Sequence, residues 1–278
     1  MRHFHLAFTM LAMSLLAGCA GPQHKPEVAV SPAPAALVSP PVAAIPAPSV
    51  LDRQQRLLQQ LAGLAPDADR GVLALALQAR ECALRSGEAN EDARLAVIDY
   101  SMPSSQKRLW VFDVANDKLL FREHVSHGQG SGENIATRFS NVEGSYATSL
   151  GLYRTAETYI GGNGYSLRMD GLDPGFNDNA RPRAIVMHGA WYANPDLIRS
   201  QGRLGRSQGC PALREGIAKV VIDSMKQRQL LFAYANDAAF LQRGHSFACD
   251  GRDARTILAA ARGRATHGGA ATGVIAAS

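Results

Sequence analysis

The chain has 278 residues, 46% of them hydrophobic, 6% aromatic and 19% charged, a balance that fits a folded domain and excludes a disordered chain or a bundle of membrane spans. Twenty-nine Lys and Arg against 24 Asp and Glu leave a formal net charge of +5, which suits an anionic polymer or a membrane surface as partner. Nucleic acid is excluded as a partner because no stretch interleaves basic and aromatic residues.

The first 18 residues open on Arg2, continue as an apolar stretch over 6–16, and end in small residues. That stretch is too short to cross a bilayer as a helix, so it is expected to be a secretory signal. Leu16-Ala17-Gly18-Cys19 resembles a bacterial lipobox. The resemblance implies that Cys19 is diacylated, becomes the new N-terminus and ties the protein to a membrane. Ala20, where an aspartate would retain the protein at the inner membrane, implies the outer membrane and a domain facing the periplasm. Residues 19–50 carry eight prolines among Ala, Val and Ser. Such a segment cannot close a core and is expected to be an extended tether reaching about 90 Å at about 3.1 Å per residue.

Helices are predicted at 51–62 and 67–86, where apolar residues recur every three or four positions, as on a helix packed by one face. Asp67 and Asp69 suit the second helix's positive end and Gly87 its stop. Residues 51–93 are expected to pack as a helical segment on the domain at 94–250. After Gly87 the texture changes to short β-branched and aromatic runs: strands are predicted at 94–102, 107–114, 118–128, 145–154, 165–170, 183–188 and 229–235. A helix is predicted at 214–227, and 251–278 should hold a C-terminal helix and a tail. Helices and strands do not alternate regularly, which excludes a doubly wound nucleotide-binding fold. The result is an α+β, mainly β domain with helices at its edges.

Four cysteines occur: Cys19, Cys82, Cys210 and Cys249. With Cys19 lipidated and Cys210 used chemically, Cys82 and Cys249 remain as a candidate disulfide in an oxidising compartment, two separate buried thiols being the alternative. Cys210 lies in GRLGRSQGCPAL (202–213), where glycines and arginines precede the thiol and Pro211 follows it. A thiol attacks a carbonyl only as thiolate, so it needs a base or positive surroundings. His188 ends the apolar run AIVMH before Gly189 and is the candidate base. Gly209 would let backbone amides approach an oxyanion, and Arg203 and Arg206 would supply positive potential. His124 and His127 are expected to be ordinary histidines, His127 being also a pocket candidate because it precedes a glycine loop, and Glu133, Asn134 and Arg138 are expected in a solvated loop, lining the cleft being the alternative. Tyr159, Tyr165 and Trp191 could shape a groove or fill a core.

His188-Gly189, eighteen intervening residues (189–206), and Ser207-Gln208-Gly209-Cys210 together resemble the murein L,D-transpeptidase catalytic domain family. FSNVEGSYATSLGLYRT (139–155) and NDNARPRAIVMHG (177–189) extend the resemblance over about 94–235. It implies an L,D-transpeptidase-like β-sandwich or mixed sheet, and an enzyme needing no metal or cofactor. Cys210 would attack the L,D bond of a peptidoglycan stem peptide, releasing D-alanine. His188 would act as base, the Gly209 and Cys210 amides would hold the oxyanion, and Ser207 would order the loop. Gly189, Arg203, Arg206 and Tyr165 become candidate substrate contacts. Gln208 replaces a histidine frequent in the best-known branch, and Pro211-Ala212 stand where that branch has an aliphatic residue followed by Arg or Asn. A hydrolase using the same thiol, and a non-catalytic peptidoglycan-binding lipoprotein, are the rival functions; the protein is expected to be a monomer.

Overall fold

The computed structural model describes residues 49–268, so the expected signal, lipidated Cys19 and nearly all of the tether lie outside the described residues. Helix α1 (Val50–Leu64) starts from a reciprocal cap: the Ser49 hydroxyl accepts from the Asp52 amide, and the Asp52 carboxylate accepts from the Ser49 amide. Helix α2 (Arg70–Arg85) is capped by Asp69, whose carboxylate accepts from the Val72 amide at 2.9 Å. α2 is not packed by one face, as its spacing suggests. Leu73, Leu75, Ala76, Ala79 and Ala83 are all buried, because the helix lies between α1, the sheet and the C-terminal helix α6 (Ala254–Gly268).

Two strands form the centre of the sheet. β1 (Leu95–Asp99) and β8 (Leu230–Tyr234) are buried at every position and pair in parallel. Their sequences, LAVID and LLFAY, read as continuous apolar runs because both sheet faces are covered. β2 (Leu109–Asp113) pairs antiparallel with β1, and β3 (Lys118–Glu123) forms the outer edge beyond it. β2 and β3 are joined by a tight turn in which Asp117 is left-handed at φ 50°. On the other side of β8 run β4 (Gly151–Gly161), β5 (Gly164–Gly171) and β6 (Val186–Gly189), each antiparallel to its neighbour, and then the two-residue β7 (Ala212–Leu213), parallel to β6. The order among the described residues is β3-β2-β1-β8-β4-β5-β6-β7, a single mixed sheet. Helix α3 (Asp196–Gln201) lies between β6 and β7 in the chain, α4 (Glu215–Met225) between β7 and β8, and α5 (Ala238–Arg243) between β8 and α6.

The strand predicted at 145–154 starts later and runs further, as β4. Gly151 explains the late start. Its φ is +120°, and a Cβ there would lie 2.4 Å from the Asp173 carboxylate. That carboxylate is fully buried and accepts from the Leu152, His245 and Ser246 amides at 2.7, 2.7 and 2.8 Å. One acidic side chain thereby ties the start of β4 to the chain after α5. A disulfide joins Cys82 of α2 to Cys249 in the same region. The helices at 51–93 share a single hydrophobic core with the sheet. Among the described residues, no helix is long and apolar enough to cross a membrane.

Candidate active site

β6 and β7 bring the motif residues together. Their parallel register sets His188 opposite Ala212, which places Cys210, two residues earlier, level with Val186 on β6. The Val186 amide donates to Cys210 Sγ at 3.4 Å, and the thiol donates to the Ala184 carbonyl at 3.7 Å. Ala184 holds a left-handed backbone, φ 53°, a conformation costly for a residue with a Cβ and tolerated where surrounding structure enforces it. Cys210 and His188 both line a cleft of about 600 Å³ that also takes in Gln129, Tyr146, Arg183, Tyr192 and Ser207.

The sequence suggests a thiol bared by glycines and ionised by Arg203 and Arg206. The structure differs on both counts. Cys210 is only 7% exposed, and burial pushes its pKa up, opposed by the Val186 amide and the charge of Arg183. Arg203 and Arg206 both pair with Glu133, at 2.9 and 2.6 Å. Arg206 reaches the cleft wall tied to the carboxylate it shares with Arg203, and Arg203 is not part of the lining. The cation beside the thiol is Arg183, whose Nη2 would lie 3.4 Å from a Cβ built on Gly209. Nothing in its spacing marks it, because it reaches the thiol only through the fold.

His188 is buried, and its Nδ1 donates to the carbonyl of Gly189 at 2.9 Å. A carbonyl can only accept, so Nδ1 carries the proton and Nε2 is the basic atom of the neutral ring. Burial holds the imidazole pKa below its usual 6.5. Tyr192 stacks edge-on to this ring at 6.4 Å. Gly189 serves His188 through its carbonyl, and a Cβ there would lie 3.0 Å from the side chain of Ala218 on α4, a supporting place rather than a substrate-facing one.

Ser207 and Gly209 shape the loop. The Ser207 hydroxyl donates to the Cys210 carbonyl at 2.7 Å and accepts from the Gly209 amide at 3.1 Å. That second bond corrects the expectation for the oxyanion, since the Gly209 amide is already committed. Gly209 has φ +121°, and a Cβ would come within 2.8 Å of Ile185 and 2.9 Å of the Ala147 carbonyl, so glycine is required there. The loop is zipped to residues 126–129. The Ser207 amide donates to the His127 carbonyl at 2.9 Å, the Gln129 amide to the Ser207 carbonyl at 2.8 Å, and the Ser126 amide to the Ala212 carbonyl at 2.9 Å.

Tyr165 is not in the cleft. Its hydroxyl donates to Asp223 of α4 at 2.8 Å, with Lys219 over its ring. Tyr159 packs against the core, Trp191 is 70% exposed, and neither belongs to the cleft wall. His127, expected to be ordinary, is fully buried, accepting at Nδ1 from Arg108 at 2.7 Å.

Residues 64–234, well over half of the chain, match the family described as the L,D-transpeptidase catalytic domain. Solved structures similar to the chain include an L,D-transpeptidase from Mycobacterium smegmatis, at 15% identity over 51% of this chain and 59% of that one, with a TM-score of 0.32. One from Stackebrandtia nassauensis has 14% identity over 67% and 93%, TM-score 0.33, and L,D-transpeptidase 3 from Mycobacterium tuberculosis 17% over 51% and 61%, TM-score 0.30. The chain thus spans less than two thirds of the first of these. Among curated proteins, none matches.

Proposed function

The chain belongs to the L,D-transpeptidase catalytic domain family, and on that premise we propose that it cross-links peptidoglycan stem peptides through an acyl-enzyme on Cys210. The observation that carries the reading is the meeting of Cys210 and His188 in one cleft, with His188 held as the tautomer whose Nε2 can accept a proton. The thiol proton passes from Sγ to Nε2, and the electron pair left on sulfur attacks the carbonyl carbon of the L,D bond before the terminal D-alanine. Gly209 having spent its amide on Ser207, the Cys210 amide holds the tetrahedral oxygen. As the carbon–nitrogen bond breaks, the imidazolium returns its proton to the departing D-alanine amine, leaving a thioester. The amine of a second stem then attacks, gives its proton to Nε2, and restores the thiol as the cross-link forms.

The experiment is mass spectrometry of disaccharide-tetrapeptide incubated with wild type and with Cys210→Ala. A dimer that needs Cys210 and forms with loss of one D-alanine is the expected result. A Cys210-dependent tripeptide without dimer would reassign the same thiol to hydrolysis, and unaltered substrate in both samples would defeat the acyl-enzyme. Anchoring through a lipidated Cys19 at the outer membrane is part of the same proposal, supported by Leu16-Ala17-Gly18-Cys19 alone. Cys19→Ala should move the protein from the membrane to the soluble fraction, and retention of that variant would refute the anchor.

A further inference from the structure

A buried thiol pushed toward its neutral form needs a nearby positive charge to become a nucleophile. Three of the arginines around the motif are tied to carboxylates: Arg203 and Arg206 share Glu133, and Arg214 holds Glu123 at 3.0 Å. Arg183 differs. Its guanidinium is half-buried and donates to four neutral acceptors: the Ser140 carbonyl at 2.8 Å, Ser149 Oγ at 2.5 Å, Ser145 Oγ at 3.3 Å and the Ala147 carbonyl at 2.7 Å. No carboxylate pairs with it among the described residues. These bonds fix the guanidinium against Gly209, on the wall of the cleft that holds Cys210, with its charge uncancelled.

We propose that Arg183 is the residue that makes Cys210 ionisable, a positioning residue whose fixed charge stabilises the thiolate left when the proton moves to His188. The inference rests on Cys210 being the nucleophile. Arg183 forms no bond to the substrate in this role and gives up no proton; the electron pair of the broken S–H bond stays on sulfur. It also explains how the site works with Ala212 at a position where the resemblance leads one to expect Arg or Asn. The other groups facing the thiol do not compete. Tyr100, Tyr153 and Tyr192 are held neutral by burial, His188 is the proton acceptor, Arg206 is fixed on Glu133 and the Gly132 carbonyl, and Glu143 contributes the cleft's one carboxylate among its lining residues.

The test is the pH dependence of iodoacetamide alkylation of the purified protein, read by mass spectrometry on the Cys210 peptide, for wild type, Arg183→Gln, Arg183→Lys and Ser149→Ala. Arg183→Gln should raise the half-rate pH by about one or more, roughly a tenfold loss of thiolate near neutrality. Arg183→Lys also loses the planar fork but keeps the charge, and should restore most of the profile. Ser149→Ala removes one anchor without touching the charge. It should lower the melting temperature and leave the profile in place. A profile unmoved in Arg183→Gln, or moved equally in Arg183→Lys, overturns the proposal. Should Arg183→Gln fail to fold by near-UV circular dichroism, Ser149→Ala decides: a shifted profile there makes the role structural. Alkylation does not depend on a stem peptide, so the loss of this inference and the loss of the transpeptidase reading remain separable.

Discussion

Gly209 and Ser207 set the nucleophile's position through backbone geometry, and each yields a prediction at the scale of a single residue. At φ +121° a side chain on residue 209 is strained, and it would also press on Ile185 and the Ala147 carbonyl. Gly209→Ala should therefore cost about 2 kcal/mol of stability and, by displacing the next residue, remove nearly all Cys210-dependent product. A thermal melt and the dimer assay read the two effects, and a variant with wild-type values in both would show that the loop accommodates the methyl group. Gly144 is the control: also left-handed, φ +71°, but with nothing within 4 Å of an added Cβ, so Gly144→Ala should cost only about 1 kcal/mol. His188 gives a prediction on pH. Because burial depresses its pKa below 6.5, the ring is neutral at pH 7, and turnover should rise with pH along an acid limb lying below 6.5. An acid limb centred above that value would mean that another group is titrating. The cysteine, the histidine and their glycines were legible in the sequence because their types and order are specific to the chemistry. Arg183 was not. Its role comes from the fold, which carries it from the lead-in to β6 to a place beside Gly209, and no periodicity records that.

At the scale of elements, the region after α5 is held to the rest of the domain by the packing of α6 on α2, by Asp173 with its three amide donors and by the Cys82–Cys249 disulfide, whose cysteines are 167 residues apart in sequence. A cross-link closing so long a loop restricts the unfolded chain, worth about 3–5 kcal/mol. Cys82→Ser with Cys249→Ser should lower the melting temperature accordingly, and the alkylation profile of Cys210 should not change, since the bridge lies on α2 and away from the cleft wall. A double variant melting with wild type would show that Asp173 and the packing of α6 on α2 hold the region without the bridge. The strands were legible where apolar runs are unbroken, as in β1 and β8. β4 was misread at its start because SYATSL carries strand-like residues, whereas its backbone is set by left-handed Tyr146 at φ 51° and by Gly151 fitted around Asp173. α2 was read as one-faced because spacing counts apolar positions and does not see that three elements surround the helix.

For the whole molecule, stability against acid is governed by histidines that the fold keeps neutral. His127 is the strongest case. It is fully buried, its Nδ1 accepts from Arg108, itself fully buried, and its Nε2 faces the Gly132 carbonyl. Burial, with the positive charge of Arg108, holds its pKa near 3. An imidazole that stays unprotonated in the fold but takes a proton when unfolded draws the chain toward unfolding as pH falls. The loss starts at the unfolded value, about 6.5, and grows until the folded value is reached, amounting to about 3 kcal/mol by about pH 4.5. His124 and His188, also depressed by burial, add in the same direction. Asp99, raised by burial, works against it, and the depressed carboxylates Glu157, Asp170 and Asp223 lose their ion pairs only at lower pH. Gln can replace His127 in kind, its oxygen accepting from Arg108 and its amide donating to Gly132, with no proton to gain. Urea unfolding of His127→Gln should therefore show a smaller loss between pH 7 and about pH 4.5 than wild type, by about 3 kcal/mol. The site feels this directly, because the His127 carbonyl holds the Ser207 amide. Protonating the ring loosens the strand that secures the Cys210 loop, so wild type should also lose Cys210 activity irreversibly faster at that pH than the variant. Equal pH dependence in the two proteins would place the acid weakness elsewhere in the domain.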